Sequence, residues 1–182
     1  MLEYEVRPLI KDNIQTLKSM WIPAAEENEE LPEASFERAV AWAEDVLLDQ
    51  AQTSAQVHGV FCPNGDVHAL FDLVHVHPTA PKGYFKILNM IVAPHLDLNG
   101  ASQDEVFTMR DKLSQVVIEV IGHGLTLLHE YAATTKLKFY ASDRVTLSIM
   151  QRAWGDMEEG LLASTGFETN LYGNWAEFSK AI

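Results

Sequence analysis

The stretch Tyr84-Phe85-Lys86-Ile87-Leu88-Asn89-Met90-Ile91-Val92-Ala93-Pro94 decides how this chain folds. Side chains of an extended strand alternate between its two faces. Leu88, Met90 and Val92 therefore share one face, while Ile87, Ile91 and Ala93 lie on the other. A strand apolar on both sides is covered on both sides, which places it in the middle of a sheet. Pro94 lacks an N–H and closes it. A central strand needs neighbours, and the flanking sequence supplies them.

Upstream, Val57 to Cys62 and Val67 to Val76 are strand-like runs joined by Pro63-Asn64-Gly65-Asp66. Asn-Gly at such a junction predicts a tight hairpin, because both residues can take positive φ. Before them, Tyr4 to Leu9 alternates weakly and reads as a first strand. Ile10, Ile14, Leu17 and Trp21 then recur at spacings of four, three and four, marking a helix that Pro23 is expected to end. A second helix starts near Pro32 and turns Phe36, Val40, Ala43 and Leu47 to one side. Downstream, His95 to Ser102 reads as a loop, and Val106, Met109, Leu113, Val116 and Val120 mark a long helix. That helix either continues through Leu125, Leu128 and Tyr131 or breaks at Gly122 and Gly124. Leu137 to Ala141 is a strand, and the next helix carries Met150, Trp154, Met157 and Leu161. Phe167 to Tyr172 and Trp175 to Phe178 form a last pair of strands. The order is β, α, α, β, β, β, α, β, α, β, β. It predicts an α/β (α+β) fold in one domain over residues 1–182: a mixed, mostly antiparallel central sheet flanked by helices.

The bulk numbers narrow the function. The 182 residues carry a net charge of −13, from 13 basic and 26 acidic side chains, with no Lys/Arg cluster. A nucleic-acid-binding face needs cations to displace counterions, so that class is set aside. Cys62 is the one cysteine, which excludes an internal disulfide and fits a reducing compartment. The amino terminus lacks the basic and long apolar regions of a secretory leader. No stretch approaches the ~18 apolar residues of a membrane span. A cytoplasmic location is expected, and a homodimer is allowed.

The order of elements, with three local features, resembles the GCN5-related N-acetyltransferase superfamily. Leu88 to Pro94 is similar to that family's central strand, whose Val-x-Pro end opens onto acyl-CoA; here Val92-Ala93-Pro94. Glu119 to Leu128 is similar to the pyrophosphate loop, with Gly122-His123-Gly124 as its Gly-x-Gly. Thr165-Gly166-Phe167-Glu168, followed by Trp175 and Phe178, is similar to the closing turn and hairpin. The resemblance implies acetyl-CoA as co-substrate and a small amine as acceptor. It implies that Ile91, Val92, Gly122, His123 and Gly124 meet the cofactor. The strand ending at Val92 is then expected to diverge from Leu137–Ala141 and leave a V-shaped opening. A helix start at the glycines would aim backbone N–H groups at a pyrophosphate. A helix running unbroken from about residue 105 to 132 would remove that reading and favour a binding module.

Two positions depart from the family. Glu119 stands where Arg or Gln is usual, and a carboxylate repels pyrophosphate. Leu162 stands where many members have a tyrosine that protonates the departing thiolate, and it cannot donate a proton. Tyr140, beside a strand end, is the candidate replacement, with Tyr131 behind it. His75 and His77, two apart on a strand, are candidate bases for the amine. The same pair with Asp72 or His95 could bind a metal, although no metal is assigned. Cys62 has no evident activating partner. The acidic run Glu26, Glu27, Glu29, Glu30 and Glu33 could receive a cationic amine. Two functions stay open: an acyl-CoA-dependent N-acetyltransferase acting by direct attack, and an inactive module that keeps the fold.

Overall fold

The computed structural model describes residues 4–28, 31, 33–49, 55–80, 82–98, 103–142, 144–159 and 166–180. Seven strands form one sheet in the order β1-β2-β3-β4-β5-β7-β6. They are β1 (Glu5–Pro8), β2 (Ala55–Phe61), β3 (Val67–Val76), β4 (Gly83–Val92), β5 (Thr134–Tyr140), β6 (Phe167–Tyr172) and β7 (Trp175–Lys180). The quoted stretch forms β4, the middle strand. Only β4 and β5 run parallel; the other neighbours are antiparallel. A parallel pair needs a long crossover, and the helix Gln103–Glu130 supplies it.

The helices α1 (Lys11–Glu26) and α2 (Glu33–Asp49) cover one face of the sheet. Ile14, Leu17, Trp21, Phe36 and Val40 pack there on Val57, Phe61, Val67 and Leu70. On the other face, α3 (Gln103–Glu130) and α4 (Arg144–Glu159) bring Leu113, Val117, Val120, Met150 and Trp154 onto Phe71, Ile87, Leu137, Phe139 and Phe178. The helix α1 does not stop at Pro23 but runs three residues past it. Proline forfeits one ladder bond. Burial of Trp21 and Ala25 offsets that loss, with Trp21 Nε1 donating to the Val67 carbonyl at 2.9 Å. In the β2–β3 turn, Gly65 has φ +91° and Asn64 does not enter the positive region, so one left-handed residue suffices.

The sheet splits beyond its middle. Pairing of β4 with β5 stops at Ile87–Phe139, yet β4 continues to Val92. The far half of β4 stays with β3, through Ile91 opposite Leu70, Val92 opposite Ala69, and Ala93 N–H to His68 O at 2.9 Å. The end of β5 stays with β7, through Tyr140 opposite Trp175 and Ala141 N–H to Asn174 O at 2.9 Å. A bulge marks the parting: two steps along β3, from Leu70 to Asp72, face three along β4, from Ile91 to Leu88. Within it Asn89 takes φ +49°, a conformation asparagine tolerates better than most residues. The expected V-shaped opening beside Val92 is there.

Candidate functional site

A cavity of about 480 Å³ occupies the opening. Met90, Val92, Leu96, Leu113, Val145 and Ile149 form its apolar wall, and Ser35, Asp97, Ser142 and Thr146 bring polar groups. A second cavity, about 280 Å³, lies between α2 and β4, against Arg38, Ala39, Trp42 and Asn89. The two share Ser35, Met90, Ile91 and Ser142, so the β4 bulge is a wall common to both. A third, about 400 Å³, extends the first between α3 and α4 through shared Leu98, Val145 and Ile149. It is lined by Arg110, Arg144 and Arg152, three of the five arginines in a chain of net charge −13. Arg152 is paired with Asp111 at 2.6 Å. Among the described residues, Arg110 and Arg144 have no carboxylate within ion-pair distance. Val106 and Arg110, from the first two turns of α3, line this space, so the amino-terminal end of α3 faces it. A helix amino terminus and two guanidinium groups together suit phosphate.

Ile91 and Val92 line the opening. Gly122, His123 and Gly124 do not. They fall within the unbroken helix α3, more than two-thirds of the way along it. Their N–H groups sit inside a helix rather than at its start, which corrects the Gly-x-Gly loop and, taken alone, favours the binding module. Gly124 answers to packing instead: a Cβ there would stand 2.7 Å from a Leu137 methyl, so the glycine lets α3 settle on β5. His123 tilts against His58, ring centres 5.2 Å apart. The helix start that does face a cavity is that of α3 itself, and its place soon after the central strand was the signal available in the sequence. Glu119 lies in the middle of α3 and lines none of these cavities, so its expected repulsion of pyrophosphate loses its basis.

His75 and His77 are at the wrong end of the sheet. His75 faces Phe85 near the start of β4, and its Nε2 lies 2.8 Å from Thr134 Oγ1. Met90 is five residues along from Phe85, roughly 16 Å. His77 sits in the turn after β3 with φ +53°. Neither lines a cavity described above, so the base role expected of them in the opening is withdrawn. No cluster of metal-binding side chains occurs among the described residues. Tyr140 ends β5 on the α2 side of the sheet, its ring 4.8 Å from Trp175 and two residues before Ser142. Leu162, Glu29 and Glu30 lie outside the described residues. Cys62 does have a partner, His68 Nε2 at 3.2 Å, whose Nδ1 meets the Tyr4 hydroxyl at 3.2 Å. Burial pushes that thiol up and His68 down to about 4, which holds the pair neutral and unreactive.

Asp72, offered by the sequence only as a metal ligand beside His75 and His77, has a different place. It is buried in β3, directly opposite Leu88, and its Oδ2 accepts from Asn89 Nδ2 at 2.7 Å. Its Oδ1 is buried with no hydrogen-bond partner. Burial pushes its carboxyl above the usual range, and the Asn89 bond opposes that in part. The clue was an acid between Phe71 and Leu73 in an otherwise apolar strand.

No protein-family model and no curated protein matches the chain. Solved structures do. The aminoglycoside acetyltransferase AAC(6′)-Ib with coenzyme A is 12% identical over 97% of this chain and 95% of that one, with a TM-score of 0.54. The same protein with coenzyme A and kanamycin is 14% identical over 97% and 95%, with a TM-score of 0.51. Its complex with paromomycin and acetyl-CoA is 12% identical over 97% and 93%, with a TM-score of 0.50.

Proposed function

We propose that this chain, which has the mixed-sheet fold of the acyl-CoA N-acyltransferases, transfers an acetyl group from acetyl-CoA to a small amine by direct attack. One observation carries this reading. The central strand parts from its neighbour at a bulge, and cavities on either side of it share Met90, Ile91 and Ser142. Such a passage lets two reactants meet from opposite sides, which is what a direct transfer between them requires. The apolar cavity and its arginine-lined extension suit a long thiol ester with a polyphosphate tail. Arg110, Arg144 and the amino-terminal end of α3 are assigned to the phosphates. Ile91 and Val92 are assigned to the thioester arm. The α2-side cavity takes the amine.

The amine nitrogen attacks the thioester carbonyl carbon. The C–N bond forms, the nitrogen gives up one proton to solvent water, the C–S bond breaks, and coenzyme A leaves as a thiolate. A backbone N–H of the bulge is assigned to the carbonyl oxygen, where negative charge gathers. Tyr140 lines none of the three cavities, but it stands two residues before Ser142, which lines two of them, and on that adjacency it is the donor assigned to the thiolate. A thiolate also leaves unassisted, since thiols ionise not far above neutral pH. Losing Tyr140 should therefore slow transfer without abolishing it. The acidic run after α1 supports a cationic acceptor, with Glu26 and Glu27 at the carboxyl end of that helix.

Calorimetric titration with acetyl-CoA and with coenzyme A tests this reading. One site per chain is expected for each, and Arg110→Glu with Arg144→Glu should weaken both roughly ten- to a hundredfold by replacing attraction with repulsion. Absence of binding would return the chain to the inactive-module reading. Binding that is indifferent to the two charge reversals would remove the phosphate assignment alone.

A further inference from the structure

A carboxylate can only accept hydrogen bonds, and this fixes how its neighbour must point. Asp72 Oδ2 receives the Asn89 amide nitrogen at 2.7 Å. The amide oxygen of Asn89 is therefore turned away from Asp72. Asn89 is exposed and lines the cavity between α2 and β4. Its backbone is held at φ +49° in the bulge, so the side chain does not swing with an ordinary strand. The other polar and charged groups lining that cavity are Ser35, Arg38, the Trp42 indole and the Ser142 hydroxyl. Around Asp72, its neighbours across the sheet are Val57 and Leu88, and its neighbours on β3 are Phe71 and Leu73; Lys86 is opposite Val74, one same-face step away. No charged side chain among the described residues sets its ionisation; burial and Asn89 do.

We propose that Asp72 is a positioning residue that locks Asn89 as a hydrogen-bond acceptor for the attacking amine. The inference rests on the transferase reading and gives its acceptor side a specific recognition element. The amine N–H donates to Asn89 Oδ1, which directs the nitrogen lone pair toward the opening at Met90 and Ile91. The bulge, the conformation of Asn89 and the buried acid are then parts of one device. An unmet buried carboxylate oxygen is costly to keep, and the acid's control over Asn89 supplies a reason for keeping it. Protonated Asp72 can donate as well as accept, which frees Asn89 to flip and deprives the amine of its acceptor.

The test uses the full chain saturated with coenzyme A and three probe amines: spermidine, n-butylamine and kanamycin. Their affinities are measured by calorimetry from pH 5 to 8. At least one probe should bind the parent, and its affinity falls toward acid pH in any case because the amine itself takes up a proton. Asp72→Asn can pair with Asn89 in either orientation, so amine affinity should fall roughly five- to thirtyfold, the size of one oriented hydrogen bond. The ratio of parent to variant affinity should shrink toward acid pH, where a protonated Asp72 no longer orients Asn89. Asn89→Gly keeps the positive φ while deleting the amide, and should lose a similar factor; the double variant should lose no more than either alone. Coenzyme A affinity should hold throughout, which shows that the variants are folded. Coenzyme A binding with no amine bound to the parent, or an Asp72→Asn variant with the parent's amine affinity across the whole pH range, would overturn the inference and leave the cofactor reading standing. Loss of coenzyme A binding by the parent would instead sink the reading beneath it.

Discussion

Acidifying the protein from pH 7 to pH 5 should remove about 3 kcal/mol of folding stability, read as a fall in the urea midpoint. His58 is 2% exposed, lies against the Phe71 ring and faces His123, and burial holds it down at about 4. His68 is held at about 4 by burial and by nearby His95. Both are depressed below the ordinary value of roughly 6.5. The unfolded chain therefore binds protons that the folded chain refuses. The stability is present in full above about pH 6.5 and is lost as pH falls toward 4. At pH 5 His58 accounts for about 2 kcal/mol and His68, partly in solvent, for about 1. His75, His95 and His123 are lowered as well and act in the same sense. The carboxyls of Asp72 and Glu119, raised by burial, work against the trend. Replacing His58 with Phe should flatten the profile between pH 5 and 7. Equal urea midpoints for the parent at both pH values would show that these imidazoles are not buried as described.

The two glycines of α3 should respond oppositely to substitution. Gly124→Val pushes a branched side chain into Leu137, where even a Cβ has only 2.7 Å, and should cost about 3 kcal/mol as α3 lifts from β5. Gly122→Ala meets nothing within 4 Å and should gain up to about 1 kcal/mol from helix propensity. Thermal or urea unfolding measures both. Coenzyme A affinity should be unchanged in Gly122→Ala, because that residue is remote from the phosphate assignment. A large loss of affinity there would restore the glycine loop that the helix removes.

The same glycines show where sequence reading stops. Apolar spacing through residues 106–128 is helical throughout, yet Gly-x-Gly also suits a phosphate loop. What separates the two is a contact with Leu137, a residue on another element, and spacing along one segment cannot reveal it. By contrast, β4 was legible as a strand buried on both faces, a pattern written into successive residues. The hairpins and the order of elements were legible for the same local reason. But the bulge at Asn89 turns Ile87 to the face of Met90 and away from Ile91 and Ala93, which simple alternation does not foresee. The V-shaped opening was expected only through the family resemblance. Its physical cause, β5 following β7 while β4 follows β3, joins residues far apart in sequence. The histidines misled because a shared strand face says nothing about which end of the sheet holds the cavity. Asp72 was visible as an acid in an apolar run, but its meaning depends on Asn89 across the bulge.

The chain's own synthesis meets the consequence of β7 lying between β5 and β6. On the ribosome, β5 is made before the strand that will hold its outer side, and residues 175–180 emerge only after α4 and β6. Until they arrive, β5 is a bare edge carrying Leu137 and Phe139, open to pairing with another nascent chain. A stop codon ahead of residue 175 would thus yield a product prone to aggregate, and no strand would remain to draw the end of β5 away from β4.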